Sequence, residues 1–152
     1  MSMNLKKLLA ALEFLLLLYS CSLKNEIKNP PYAVSNPVLE NGTGTNGCNV
    51  GGLFFDYYNK KQINVVKLEV KFCIYDKETK LSAIKKGQIS ATLNSEIAGG
   101  EKRKMCIPLD SYITTFNKDK FIVDQFFVSR IEFSDGSTWE DVLGVYAINN
   151  GD

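Results

Sequence analysis

Residues 66–75, VKLEVKFCIY, contain the strongest structural signal in this chain. Apolar residues occupy every second position from Val66 to Ile74, and charged or polar residues occupy most of the positions between them. Successive side chains of a β-strand point to opposite faces, so this run predicts one face on a core and one face in water. We therefore predict a long, half-buried strand here.

Shorter runs on both sides repeat this pattern. Residues 53–58 are rich in aromatics, residues 89–93 and 105–109 alternate more weakly, and residues 121–133 are rich in apolar side chains. Asp135-Gly136 favours a hairpin turn, whose return side contains Trp139, Val142, Val145 and Tyr146. Residues 109–118 or 140–143 could form a helix, but neither has a 3.6-residue period. Together these signals predict an all-β, antiparallel β-sandwich over residues 47–149.

Composition narrows the possible functions. The chain has 152 residues, of which 45% are hydrophobic and 23% charged, as in a globular domain. Its 18 basic and 17 acidic residues leave a formal charge of +1, which gives no reason to expect a nucleic-acid partner. Histidine is absent, which excludes His-dependent nucleophiles and His-ligated zinc.

The N-terminal segment has the features of a secretory signal. Lys6 and Lys7 precede an apolar run over residues 8–19, which is shorter than the roughly 20 residues needed to span a bilayer. Residues 18–21, LYSC, resemble the lipobox of bacterial lipoproteins. The resemblance implies a signal peptide over residues 1–20, cleavage before Cys21, and a diacylglycerol on the Cys21 thiol. An ordinary cleaved signal and a weak N-terminal membrane helix remain alternatives.

A flexible tether is predicted between the anchor and the domain. Residues 21–46 contain three of the four prolines and no persistent helical or strand period. As an alternative for part of this stretch, Tyr32, Val34 and Val38-Leu39 could pack on the domain as an irregular edge strand.

The strand pattern also resembles a known type of domain. The alternation ending at Tyr75-Asp76, the strand at residues 105–109 and the run from Ile131 through Asp135-Gly136 to Trp139 are similar to small Ig-like or FxLYD-like extracytoplasmic domains. Such domains occur in bacterial lipoproteins and other envelope proteins. The resemblance implies an Ig-like sandwich that acts as a binding or spacing module, not as an enzyme, and it identifies no catalytic residue, cofactor or metal site.

Two function classes follow from this interpretation. The first is a surface lipoprotein of the cell envelope that binds an envelope or host protein through free strand edges or through the polar face of residues 67–75. The second is a glycan or small-molecule binder that uses exposed aromatics, with Tyr57, Tyr58 and Trp139 as the candidates. An enzyme would need two carboxylates to converge in a pocket, and the sequence fixes no such pair.

The remaining cysteines allow at most one internal disulfide. If Cys21 is lipidated, Cys48, Cys73 and Cys106 remain. A Cys73–Cys106 bond is possible if their strands are neighbours, and Cys48 could instead meet either of them. The sequence has no C-x-x-C pair, so metal binding by these thiols is not expected.

The lipid anchor makes one testable prediction. We expect Cys21→Ala to abolish incorporation of radiolabelled palmitate, because the thiol that would be joined to diacylglycerol is gone. Cys73→Ala, which keeps Cys21, should label like the natural protein. Labelling that persists in Cys21→Ala would contradict the anchor.

Overall fold

The computed structural model describes residues 29–150, and these residues form strands, turns and loops but no helix. The predicted signal peptide and Cys21 lie outside the described residues. Residues 109–118 and 140–143, where a helix was possible, contain turns and loops apart from the strand end at Glu140. The strands are β1 (Tyr32–Val34), β2 (Val38–Asn41), β3 (Gly51–Asn59), β4 (Val65–Asp76), β5 (Gln88–Ile97), β6 (Lys102–Pro108), β7 (Phe121–Phe133) and β8 (Thr138–Glu140).

The strands form two antiparallel sheets, which confirms the predicted all-β, sandwich-like fold. In the first sheet, β3 pairs with β6 along one edge and with β1 and β2 along the other. In the second sheet the order is β5-β4-β7-β8. No helix long and apolar enough to cross a membrane is present within residues 29–150.

The central strand β4 follows the predicted alternation over most of its length. Leu68, Val70, Phe72 and Ile74 are fully buried. At the start of the strand, however, the pairing shifts between Val65 and Lys67. This irregularity buries Val65 and turns Val66 outward, although the pattern predicted Val66 on the core face.

The buried faces of the two sheets share one apolar core. From the first sheet, Leu53, Phe55 and Ile107 belong to this core, and the ring of Phe55 contacts the ring of Phe126 from β7 edge-on at 4.9 Å. Burying a side chain of this size contributes about 1.5–3 kcal/mol. The sandwich is therefore held together mainly by its aromatic and branched side chains.

Two short strands lie in the stretch predicted as a tether. Tyr32, Val34 and Leu39 belong to β1 and β2, pair with β3 and pack on the core. The compact unit that contains the strands begins at Pro31, whereas the sequence predicted the domain to begin at residue 47. The apolar positions of β1 and β2 explain the difference, because they complete the free edge of β3.

A buried asparagine joins one end of the two sheets. The Nδ2 atom of Asn59, at the end of β3, donates to the carbonyl oxygens of Ile63, Ile97 and Ala98 at 2.8, 3.3 and 3.2 Å. Its Oδ1 atom accepts a hydrogen bond from the backbone N–H of Lys61 at 3.1 Å. Asn59 therefore connects the β3–β4 loop with the β5–β6 turn.

The predicted turn at Asp135-Gly136 connects β7 to β8. Gly136 has a φ of 82°, a conformation that glycine adopts without steric cost. The Asp135 carboxylate accepts hydrogen bonds from the backbone N–H and the hydroxyl of Ser137 at 2.9 and 2.7 Å. These hydrogen bonds lower the pKa of Asp135.

We expect Asn59→Ala to lower the free energy of unfolding by about 2–4 kcal/mol, because it leaves several buried backbone groups without partners. Urea unfolding followed by the fluorescence of Trp139 would measure the change. Asn94→Ala, at an exposed position of β5, is the matched control and should shift stability by at most about 0.5 kcal/mol. Equal unfolding midpoints for the two variants would contradict the role of Asn59.

Candidate functional site

The outer face of the second sheet divides into two halves. In the first half, Lys67 lies 3.6 Å from Glu69 and 3.3 Å from Glu132, and Arg130 lies 3.2 Å from Glu132 and 3.4 Å from Glu140. Partly exposed ion pairs of this kind contribute about 0–1 kcal/mol each. Their charges largely neutralise one another, so this half offers little net charge to a partner.

The other half is shaped by a bulge in β7. Lys71 of β4 is paired with Phe127 and Cys73 with Asp124, so two steps along β4 match three steps along β7. Within the bulge, Gln125 has a φ of 51°. A non-glycine residue costs on the order of 1–2 kcal/mol in this region, and such strain is found most often at functional sites.

The chain after β8 follows β7, leaves it, and returns. Directly after β8, the backbone N–H of Asp141 donates to the carbonyl oxygen of Ser129 at 2.9 Å. At the return, Ile148 and Phe126 exchange two backbone hydrogen bonds of 2.8 and 3.0 Å. We call the segment between these attachments, residues 142–147, the apolar loop.

The apolar loop is held from inside by one carboxylate. Asp141 is buried, and its two oxygens accept hydrogen bonds from the backbone N–H groups of Val145 and Tyr146 at 2.9 and 3.0 Å. Gly144 has a φ of 67°, and its carbonyl accepts from the N–H of Ala147 at 3.1 Å. These bonds fix the backbone of the loop independently of any partner.

Gly144 also sets how closely the loop approaches the sheet. A Cβ atom at Gly144 would lie 3.2 Å from the ring of Phe127, tighter than an ordinary contact. Phe127 is buried but lies outside the core shared by the two sheets. The backbone of the loop at Gly144 therefore packs directly against the ring of Phe127.

The side chains at the tip of the loop point into solvent. Val142, Leu143 and Val145 expose 73%, 88% and 54% of their surface. A cleft of about 400 Å³ lies beside them, lined by Phe127 and by the polar side chains of Lys71, Gln88 and Gln125. Three apolar side chains within four consecutive residues, on a fixed backbone beside a cleft, form the strongest candidate site in the described residues.

The edge of the second sheet continues from this cleft. Gln88 lines the cleft and begins β5, and among the described strands β5 pairs with β4 alone. The sequence of β5, QISATLNSEI, contains one charged residue, no lysine and no proline. Natural edge strands are usually blocked by such residues or by a bulge. The bulge in β5 lies at its far end, between Asn94 and Ile97, so the edge over residues 88–94 is open to pairing.

The aromatic residues predicted as a binding platform do not lie on one surface. Tyr57 is fully buried, its ring stacks on Tyr32 at 5.8 Å, and burial raises its pKa. The adjacent Tyr58 is exposed. Trp139 is partly buried against the core and contacts Tyr32 edge-on at 5.3 Å. The three side chains therefore do not line one concavity, because neighbouring residues of a strand point to opposite faces.

The structure separates the two cysteines that the sequence offered as a disulfide. Cys73 lies on β4 in the second sheet, where its thiol is 3.6 Å from Oε1 of Gln125. Cys106 lies on β6 in the first sheet, where its sulfur is 3.2 Å from that of Cys48. The strands of Cys73 and Cys106 are not neighbours, so the condition for that pairing is not met.

Three carboxylates hold loops through backbone N–H groups instead of converging in a pocket. Asp110 accepts hydrogen bonds from the backbone N–H groups of Asn49 and Val50, which lower its pKa. Asp124 accepts from the N–H of Asn150 at 3.0 Å, and Asp141 holds the apolar loop. No group of three metal-ligating side chains is placed to hold a metal ion in residues 29–150.

Comparison with known proteins supports the fold but gives no information on function. No protein-family model and no curated protein matches the chain. It is similar to a hypothetical protein from Peptoclostridium difficile 630, whose X-ray structure was determined at 1.85 Å. The TM-score is 0.54 with 10% sequence identity, over 81% of this chain and 96% of that chain. At this identity the likeness shows the fold alone.

Proposed function

We propose that the protein is a membrane-anchored lipoprotein of the bacterial cell envelope, and that its sandwich binds another envelope or host protein through the apolar loop. The observation that carries the binding role is the exposure of Val142, Leu143 and Val145 on a backbone held by Asp141. The placement in the envelope is supported by the lipobox-like sequence before Cys21.

Preorganisation makes this loop suited to binding. Ordering a flexible side chain or loop on binding costs about 0.5–1.5 kcal/mol for each immobilised side chain. The backbone of the loop is ordered without a partner, by the hydrogen bonds to Asp141 and by the attachments of Asp141 and Ile148 to β7. Binding therefore does not have to supply the free energy for ordering this backbone. Burial of the three exposed side chains would each contribute about 1.5–3 kcal/mol.

The apolar loop alone is too small for a stable interface, which needs about 800 Å² on each partner. The open edge of β5 supplies the additional surface, because it adjoins the cleft at Gln88. A partner with an extended segment can pair its backbone with β5 and place an apolar side chain against the loop. This mode of recognition is strand addition. Its one charged residue, Glu96, lies at the far end of β5, so the uncharged stretch 88–94 beside the cleft suits a neutral segment.

The apolar loop is tested by a matched pair of variants in intact envelopes. Leu143→Asp places a charge at the tip, whereas Leu81→Asp changes a leucine that is 69% exposed in the loop between β4 and β5. After membrane-impermeable crosslinking and purification of the full chain, we expect Leu143→Asp to reduce recovery of the crosslinked protein at least about 10-fold, since one buried leucine is worth about 1.5–3 kcal/mol. Leu81→Asp should recover as much as the natural chain.

Equal loss in both variants, or no loss in either, would contradict binding through the loop. A photoreactive group at position 143 that labels lipid and no protein would contradict a protein partner. If the natural chain yields no crosslinked protein, the domain is a spacer and not a binding module.

A further inference from the structure

Two free thiols lie close together at one side of the first sheet. The Sγ atoms of Cys48, in the loop before β3, and Cys106, on β6, lie 3.2 Å apart although the residues are 58 positions apart in sequence. Cys48 is almost completely buried and Cys106 is partly buried. Burial, together with the contact with Cys48, raises the pKa of Cys106 to about 12.

The space around the two sulfurs is created by a glycine. Gly52 lies on β3 opposite Pro108 of β6, one pleat away from the pair formed by Phe54 and Cys106. A Cβ atom at Gly52 would lie 2.4 Å from the sulfur of Cys48 and 3.3 Å from that of Cys106. Any side chain at this position would therefore displace the Cys48 sulfur, and glycine leaves room for both.

The loop that carries Cys48 is fixed by hydrogen bonds of its own. Gly42 and Gly44 donate their N–H groups to the carbonyl oxygens of Val50 and Cys48 at 3.0 and 2.9 Å. On its other side, the Asp110 carboxylate accepts from the N–H of Val50 at 2.7 Å. These bonds hold the Cys48 sulfur beside Cys106 before any covalent bond exists.

We propose that Cys48 and Cys106 form an intramolecular disulfide in the exported protein. The sulfur atoms have to approach by about 1 Å to reach the bond length of a disulfide. Two S–H bonds break and one S–S bond forms. The two protons and the two electrons pass to an extracytoplasmic thiol-disulfide oxidoreductase, whose own S–S bond breaks to give two thiols.

The disulfide, together with the lipid anchor, accounts for three of the four cysteines. Cys21 carries the lipid in the proposed function, Cys48 and Cys106 pair, and Cys73 remains a thiol beside Gln125 in the other sheet. The crosslink fastens the loop before β3 to the neighbouring strand β6. Its formation in the cell rests on the proposed envelope location, whereas the ability of the two thiols to pair rests on the geometry alone.

The test is peptide mapping of the full chain from envelopes that are denatured in the presence of N-ethylmaleimide, so that buried thiols are blocked as well. Cleavage after lysine and arginine places Cys48 in peptide 29–60, Cys106 in peptide 105–118 and Cys73 in peptide 72–77. We expect a linked 29–60/105–118 species about 2 Da below the summed mass of the two reduced peptides, and a maleimide-modified peptide 72–77. Reduction of the natural chain should lower the melting temperature by about 10 °C.

Matched variants separate this disulfide from a bond that involves Cys73. Cys73→Ser should keep the linked peptide and the effect of reduction, whereas Cys48→Ser and Cys106→Ser should lose both. In a second arm, the reduced, purified natural chain is incubated with oxidised glutathione. Failure to form the linked peptide in both arms would overturn the proposal. Formation with glutathione but not in envelopes would overturn the native disulfide and argue against an oxidising location. Loss of binding in the Leu143→Asp variant has no bearing on either result.

Discussion

The burial of one apolar layer between two antiparallel sheets is the constraint to which the rest of the domain is fitted. A domain of this size buries a limited fraction of its surface, so each large side chain in the layer counts. The contact of Phe55 with Phe126 joins the sheets across this layer. At one end, the buried amide of Asn59 satisfies backbone groups from two loops that would otherwise be buried without partners.

The apolar loop is an exception to this burial, because its apolar side chains lie outside the core. Val142, Leu143 and Val145 are kept outside the core by hydrogen bonds to the buried Asp141 carboxylate and by the attachment of Ile148 to β7. The bulge at Gln125 and the ring of Phe127 shape the cleft beside them. Apolar side chains held in water by dedicated polar contacts are the expected form of a binding surface. On the other half of the same face, the charged side chains are paired with one another. The half that carries the apolar loop is therefore the better candidate for binding a partner.

The sequence was sufficient for the fold class because the alternation in β4 and the Asp135-Gly136 turn depend on local geometry. The sequence did not predict the features that depend on how the strands pair with one another. The bulge that turns Val66 outward depends on the register with β5 and β7. The strands β1 and β2 form because β3 offers an edge, and a short, proline-rich stretch carries no period to show this.

The candidate site was missed for a related reason. Val142, Val145 and Tyr146 resemble the return strand of the hairpin, and nothing in their order shows that Asp141 turns its carboxylate inward to hold their backbone. The sequence signal that could have revealed this loop is a carboxylate with a glycine within the next five residues, and this signal is weak. The meeting of Cys48 and Cys106 depends on the pairing of β3 with β6, so spacing alone left it as one alternative among three.

Binding through the apolar loop requires that the loop is rigid before it meets a partner. Amide hydrogen exchange of the free protein, measured residue by residue, tests it directly. Because the N–H groups of Val145 and Tyr146 are bonded to Asp141, they should exchange at least about 100-fold more slowly than unstructured amides, even though the neighbouring side chains lie in water. Exchange of both amides at the unstructured rate would show a mobile loop and would contradict its preorganisation for binding.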